Sequence, residues 1–255
     1  MKNGHTTRQK APAGRYALLD ELRGLDLVSM MLYHACWDLV FLFDVNMRWY
    51  AGTPGRLWQQ TICWVFILLS GFCAPFGRHM LRRGVTVFAA GALVTAMTLV
   101  FMPGGRVIFG VLTFLGTAML LTGVLEPLLK KVMPAVGLEV SAVLFAVCYP
   151  VGLGWVGLGG WKLMLPQSLY ANYFTAFFGF YPDWLYSTDY FGLLPWLFLF
   201  WVGYYLHKAV GRRRMEPLRH SVCPPLGWMG RHSLLLYLLH QPVIYGVLSA
   251  AALFS

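Results

Sequence analysis

Seven long apolar segments, at about 25–43, 57–77, 84–102, 106–126, 136–153, 191–208 and 233–253, dominate this sequence. An α-helix needs ~20 apolar residues to cross the hydrocarbon core of a bilayer. Inside that core every backbone N–H and C=O must be satisfied within the protein, so only helices and closed barrels can span it. The apolar residues here run continuously rather than in alternation, which reads as helix. The expected fold is therefore an all-α, polytopic transmembrane bundle of about seven spans. The chain has 255 residues, 58% of them apolar and 12% charged, about half the charge of an ordinary soluble domain. Little remains for a soluble domain. A disordered chain, a coiled coil and a nucleic-acid-binding globule are excluded despite a net charge of +10. The expected partner is the lipid bilayer, with no nucleic acid.

The placement of the charge gives an orientation. With the N-terminus inside, sixteen of the twenty Lys and Arg residues fall on cytoplasmic segments, as the positive-inside rule requires. Arg48, Arg56, Arg106 and Lys162 stay outside, and the C-terminus is expected outside. Residues 1–18 read as a basic cytoplasmic tail. The first apolar run is long enough to span and reads as a retained helix rather than a signal peptide. An eighth crossing at 164–181 would move the Arg212-Arg213-Arg214 segment outside, so 154–190 reads as a large outer loop. Tyr170, Tyr173, Phe174, Phe177, Phe178, Trp184 and Tyr186 in it suit an interfacial belt or a lid over an outward-facing site. Cys36, Cys63, Cys73, Cys148 and Cys223 form no CxxC pair, and four lie in apolar runs, so neither a disulfide framework nor a zinc site is expected.

Ionisable residues inside spans are costly and mark functional sites. The first helix is richest in them. Arg23, Asp26, Met30, His34 and Asp38 share one stripe at ~100° per residue, with His34 ~16 Å beyond Arg23. A histidine at that depth, with a carboxylate one turn on, can act as a general base. His240 lies at comparable depth on the last helix, just before Gln241-Pro242. If the two helices are neighbours, a two-histidine site forms; packing hydrogen bonds are the alternative for each ring. Arg78, His79, Arg82 and Arg83 follow the second helix and suit phosphates or lipid headgroups. No carboxylate cluster suggests a metal.

Several blocks then resemble one family. Leu19-Asp20-Glu21-Leu22-Arg23-Gly24-Leu25-Asp26, running on to His34, is similar to the opening of the heparan-alpha-glucosaminide N-acetyltransferase-like membrane proteins. The Arg23-to-His34 spacing also resembles the related acyltransferase-3 motif. Phe66 to Phe72 is similar to the family's FxxSG stretch, and Phe109 to Leu112 with Gly116 to its FGILH…G stretch. Thr188 to Phe191 with Leu194-Pro195-Trp196 resembles its DYFPLLPW block, and Gly230 to Pro242 its ending. The resemblance implies that 19–255 is a single acyltransferase-like domain in the cytoplasmic membrane. It implies an acetyl-CoA-dependent enzyme that transfers acetyl to an extracytoplasmic sugar or amino sugar. His34 is then the catalytic histidine, with Arg23 balancing charge. On this reading Asp38 orients His34, and His240 or Gln241 donates to the thioester oxygen. Arg82, Arg83 and Arg231 meet the donor phosphates, and Asp189, Tyr190 and Trp196 meet the acceptor. A proton-coupled transporter or flippase using buried His and Asp, and a non-catalytic membrane scaffold, remain the competing readings. A homodimer is left open.

Overall fold

The structure is a computed structural model that describes residues 15–253. Within them the helices are α1 (Ala17–Phe41), α2 (Arg48–Ala51), α3 (Thr53–Cys73), α4 (Met80–Phe101), α5 (Val111–Leu129) and α6 (Pro134–Cys148). The strands β1 (Trp155–Leu158) and β2 (Trp161–Met164) follow. Then come α7 (Tyr173–Phe178), α8 (Leu193–Arg214), α9 (Pro224–Arg231) and α10 (Ser233–Ala252). Seven long helices thus stand where the seven apolar segments predict them. Five are long and apolar enough to cross a membrane: Thr53–Phe76, Met80–Phe101, Val111–Leu129, Pro134–Leu153 and Ser233–Ala252. α1 and α8 are as long, but α1 carries Asp20, Glu21, Arg23, Asp26 and Asp38, and α8 ends in Lys208 and Arg212 to Arg214.

Of three local expectations, two change and one, the absence of a span at 164–181, is met. The fold is not purely helical, because β1 and β2 form an antiparallel hairpin with Trp155 opposite Met164. Gly157 and Gly159 take positive φ there, a conformation that glycine adopts without steric cost. The stretch 164–181 holds the end of β2, a 3-10 turn and the six-residue α7, so it makes no spanning helix. The helix expected from 106 starts only at Val111. The preceding backbone is held by other bonds: Ser187 Oγ accepts from Ile108 N and donates to Ile108 O, both at 2.9 Å, and Phe191 N donates to Phe109 O at 2.8 Å.

The described residues divide into two compact units, one drawn from residues up to Phe66 and from Val210 onward, the other Ile67–Ala209. In the second unit α4 and α5 pack through small residues. A Cβ on Gly84 would lie 2.9 Å from Leu120 Cγ, and one on Gly116 would run into the Phe88 backbone. Without a hydrophobic drive between helices in lipid, such close backbone approach is what holds them together.

In the first unit α1 packs against α9 and α10. Gly24 faces the Leu226 carbonyl and Gly230 faces the Asp20 carbonyl so closely that any Cβ would collide with backbone. These are the glycines of the opening and closing family blocks, and their role is backbone contact. Leu27, Met30 and Ile62 form the core beneath, with Tyr33, Trp58, Met229, Leu236 and Tyr237 packed around it. Hydrogen bonds tie α3 and the preceding α2 to α1: Trp58 Nε1 donates to Ser29 Oγ at 2.8 Å, and Tyr50 Oη donates to Tyr33 O at 3.1 Å. At the other end of α1, buried Glu21 accepts from the Ser221 hydroxyl and from Val222 N at 3.0 Å. Burial alone would raise its pKa. The Ser221 hydroxyl, the Val222 and Cys223 N–H groups and the charge of His220 outweigh burial and hold it below its ordinary value.

Candidate functional site

α1 and α10 bring two rings together. His34 and His240 stand with centroids 4.9 Å apart, tilted at 57°. The condition set by the sequence, that the first and last long helices be neighbours, is therefore met. One turn beyond His34, Asp38 is fully buried. Its Oδ1 accepts from Gln241 Nε2 at 2.7 Å, while its Oδ2 has no hydrogen-bond partner. The carboxylate expected to orient His34 is instead bound to Gln241, because residues 240 and 241 face the α1 stripe from α10. Tyr33 lies edge-on to His34 at 6.0 Å and against Tyr50 at 5.0 Å, so an aromatic wall flanks the pair.

The state of His240 follows from its neighbour. Its Nδ1 lies against the Tyr237 carbonyl. A carbonyl only accepts, so Nδ1 carries the proton and the neutral ring has its lone pair on Nε2. Nε2 is buried and has no partner. In this tautomer His240 can receive a proton but has no N–H for the thioester oxygen. Gln241 has two amide N–H groups, and Asp38 takes one. The atoms left unsatisfied here, His240 Nε2, Asp38 Oδ2 and Gln241 Oε1, are all acceptors.

The other predicted residues are dispersed. Arg23 lies 3.7 Å from Asp20, at the opposite end of α1 from Asp38. Arg231 is exposed at the end of α9. Arg82 and Arg83 sit in the first turn of α4, in the second unit. Arg82 is exposed, and Arg83 Nη1 reaches the Ala74 carbonyl at 3.5 Å. Asp189 caps α5, its Oδ2 accepting from Val111 N at 3.1 Å. Tyr190 Oη donates to the Ala176 carbonyl. Trp196 packs among Phe145, Tyr149 and Phe191. Among the described residues no group of three or more His, Cys, Asp or Glu could hold a metal.

A family model for the catalytic region of heparan-alpha-glucosaminide N-acetyltransferase matches residues 15–242. The chain belongs to this family. No curated protein and no solved structure was found to match it. Membership of the heparan-alpha-glucosaminide N-acetyltransferase family points to acetyl transfer, and the matched region holds the whole His34–His240–Asp38–Gln241 cluster. Two features of this family member escaped sequence reasoning. The Asp38–Gln241 bond joins residues 203 positions apart and leaves no local signal. Asp189 lies close to the chain's Phe109-Gly110-Val111 stretch, but only the fold shows that it caps the helix beginning there.

Proposed function

We propose that this protein is a multi-pass enzyme of the cytoplasmic membrane that moves an acetyl group from cytoplasmic acetyl-CoA to an extracytoplasmic sugar or amino sugar. The observation that carries this reading is the pair of imidazoles, His240 buried and His34 half-buried, 4.9 Å apart, inside the region matched by the family. His34 takes the proton from the acceptor's amine or hydroxyl as its nitrogen or oxygen attacks the thioester carbon. The C–S bond breaks, and the proton passes to the departing thiolate. His240, with its Nε2 lone pair free, lies beside His34 and stabilises the protonated ring. The second N–H of Gln241 serves the developing oxyanion. The aromatic side chains Tyr33, Tyr50 and Trp58 help exclude water, which would otherwise hydrolyse the thioester. Exposed Arg231 offers a guanidinium to the donor's phosphates.

Release of free CoA from acetyl-CoA by the purified protein, with glucosamine-type acceptors, tests the reading. His34→Ala is expected to lower the rate by about 10²- to 10⁴-fold, the usual contribution of a general base. A folded His34→Ala protein with undiminished transfer refutes His34 as the base. Solute movement under a proton gradient, with no binding of CoA thioesters, points instead to a transporter.

A further inference from the structure

Asp26 is a buried ionisable side chain that the proposed chemistry leaves unused. It is 7% exposed, and its Oδ2 has no hydrogen-bond partner. Burying such an acceptor without a donor is costly, so the position is built for a group that arrives with one. Asp26 lies on α1 eight residues before His34, ~12 Å back along the helix. It stands between Arg23, at the end read as cytoplasmic, and the histidine pair. A carboxylate here is too far from the rings to take part in the proton transfers.

The thioester sulfur of acetyl-CoA is joined to its phosphates by a pantetheine arm. From sulfur the arm runs nine bonds, through a cysteamine amide and a second amide, to the pantoyl hydroxyl-bearing carbon. Nine backbone bonds are three extended residues, or roughly 10 Å. With the thioester at His34 and the phosphates toward the cytoplasm, the second amide N–H and the hydroxyl fall level with Asp26. Both are donors, which is what the vacant Oδ2 lacks. We infer that Asp26 accepts a hydrogen bond from the pantoyl end of the donor's arm and so sets how far the thioester enters. The inference rests on acetyl-CoA being the donor.

The test compares acetyl-CoA with S-acetyl-N-acetylcysteamine, which keeps the thioester and first amide but lacks the second amide and the hydroxyl. Asp26→Leu is expected to raise KM for acetyl-CoA by about 3- to 10-fold, as loss of one hydrogen bond does. Its kcat stays near the unmodified value, because the bond is made equally in ground and transition states. Its kcat/KM for the truncated thioester is unchanged. Asp26→Asn, which keeps an acceptor oxygen and the shape, falls between. A binding readout without turnover accompanies this: thermal stabilisation by free CoA shrinks in Asp26→Leu, while stabilisation by adenosine 3′,5′-bisphosphate does not. Equal loss with both thioesters, or an unchanged KM for acetyl-CoA, overturns the assignment. Transfer from neither thioester by the unmodified protein, with no stabilisation by CoA, overturns the acetyltransferase reading itself.

Discussion

Replacing Gln241 by Leu removes the hydrogen bond to Asp38, a side chain with no exposed surface. At 2.7 Å the bond is short. Hydrogen bonds contribute about 0.5–1.5 kcal/mol in soluble proteins, and about 1.5–3 kcal/mol where one partner is charged. Interhelical hydrogen bonds in membrane proteins average ~0.6 kcal/mol and reach ~1.7, because helices separated in lipid still find partners. A buried carboxylate with one oxygen already unpartnered belongs at the upper end, so the expected loss is ~1.5–2 kcal/mol. At ~2–4 °C per kcal/mol for a chain of this size, the midpoint of thermal unfolding in detergent falls by roughly 3–8 °C. Asp38→Leu alone leaves the Gln241 amide unpaired and is expected to cost somewhat less. The Asp38→Leu/Gln241→Leu protein recovers most of both losses, since two apolar groups of similar shape replace both partners. Intrinsic tryptophan fluorescence follows the unfolding in all four proteins. Strict additivity of the single losses, or a Gln241→Leu protein as stable as the unmodified one, would falsify the assignment of this bond as the carboxylate's principal support.

The remaining predictions concern other parts of the fold. Gly230→Ala places a methyl against the Asp20 carbonyl, and Gly24→Ala places one against Leu226. Each should lower stability by about 1–3 kcal/mol, the usual cost of overpacking, with a matching drop in folded yield on size-exclusion chromatography. Glu21 has a folded-state pKa below its ordinary 4.5, so its contribution is complete above the unfolded value and is lost as pH falls through the lower, folded one. Melting curves between pH 5 and pH 3 should therefore decline, by less in Glu21→Gln, and identical slopes would show that Glu21 is not responsible. Asp189→Ala removes the acceptor for Val111 N. It is expected to destabilise α5 by about 0.5–2 kcal/mol, as loss of an N-cap does. A change in acceptor KM without a change in stability would return Asp189 to substrate binding.

The long helices were legible because lipid imposes a simple rule: an apolar run long enough to cross must be helical. That rule finds α3 to α6 and α10 without any tertiary information. It finds nothing in α9, which has eight residues, begins with Pro224-Pro225 and lies inside a basic segment. Yet α9 holds Gly230, whose contact with Asp20 positions α1. The depth of His34 and His240 could be calculated from helical rise, but their adjacency depended on which helices pair. The roles of their neighbours were less legible. Asp38 was matched to His34 by spacing along one helix, whereas its hydrogen bond comes from Gln241 on another. Asp189 and Tyr190 read as substrate residues from a motif, and the fold gives each a backbone partner. Both cases share a cause: periodicity describes one helix at a time, and these side chains are used between segments.

The contact of Gly24 with Leu226 and of Gly230 with Asp20 has a geometric consequence. His34 is ten residues past Gly24, and His240 is ten residues past Gly230. The glycine crossing is thus a common zero from which two arms of equal count extend to the two rings. Because backbone meets backbone there, no side chain can flex to absorb an error in either arm. A single residue inserted between Gly24 and His34 would carry that ring ~1.5 Å along the axis and ~100° around it, while His240 stayed where it was. An insertion in one arm alone therefore parts the two rings, because the other arm keeps its length.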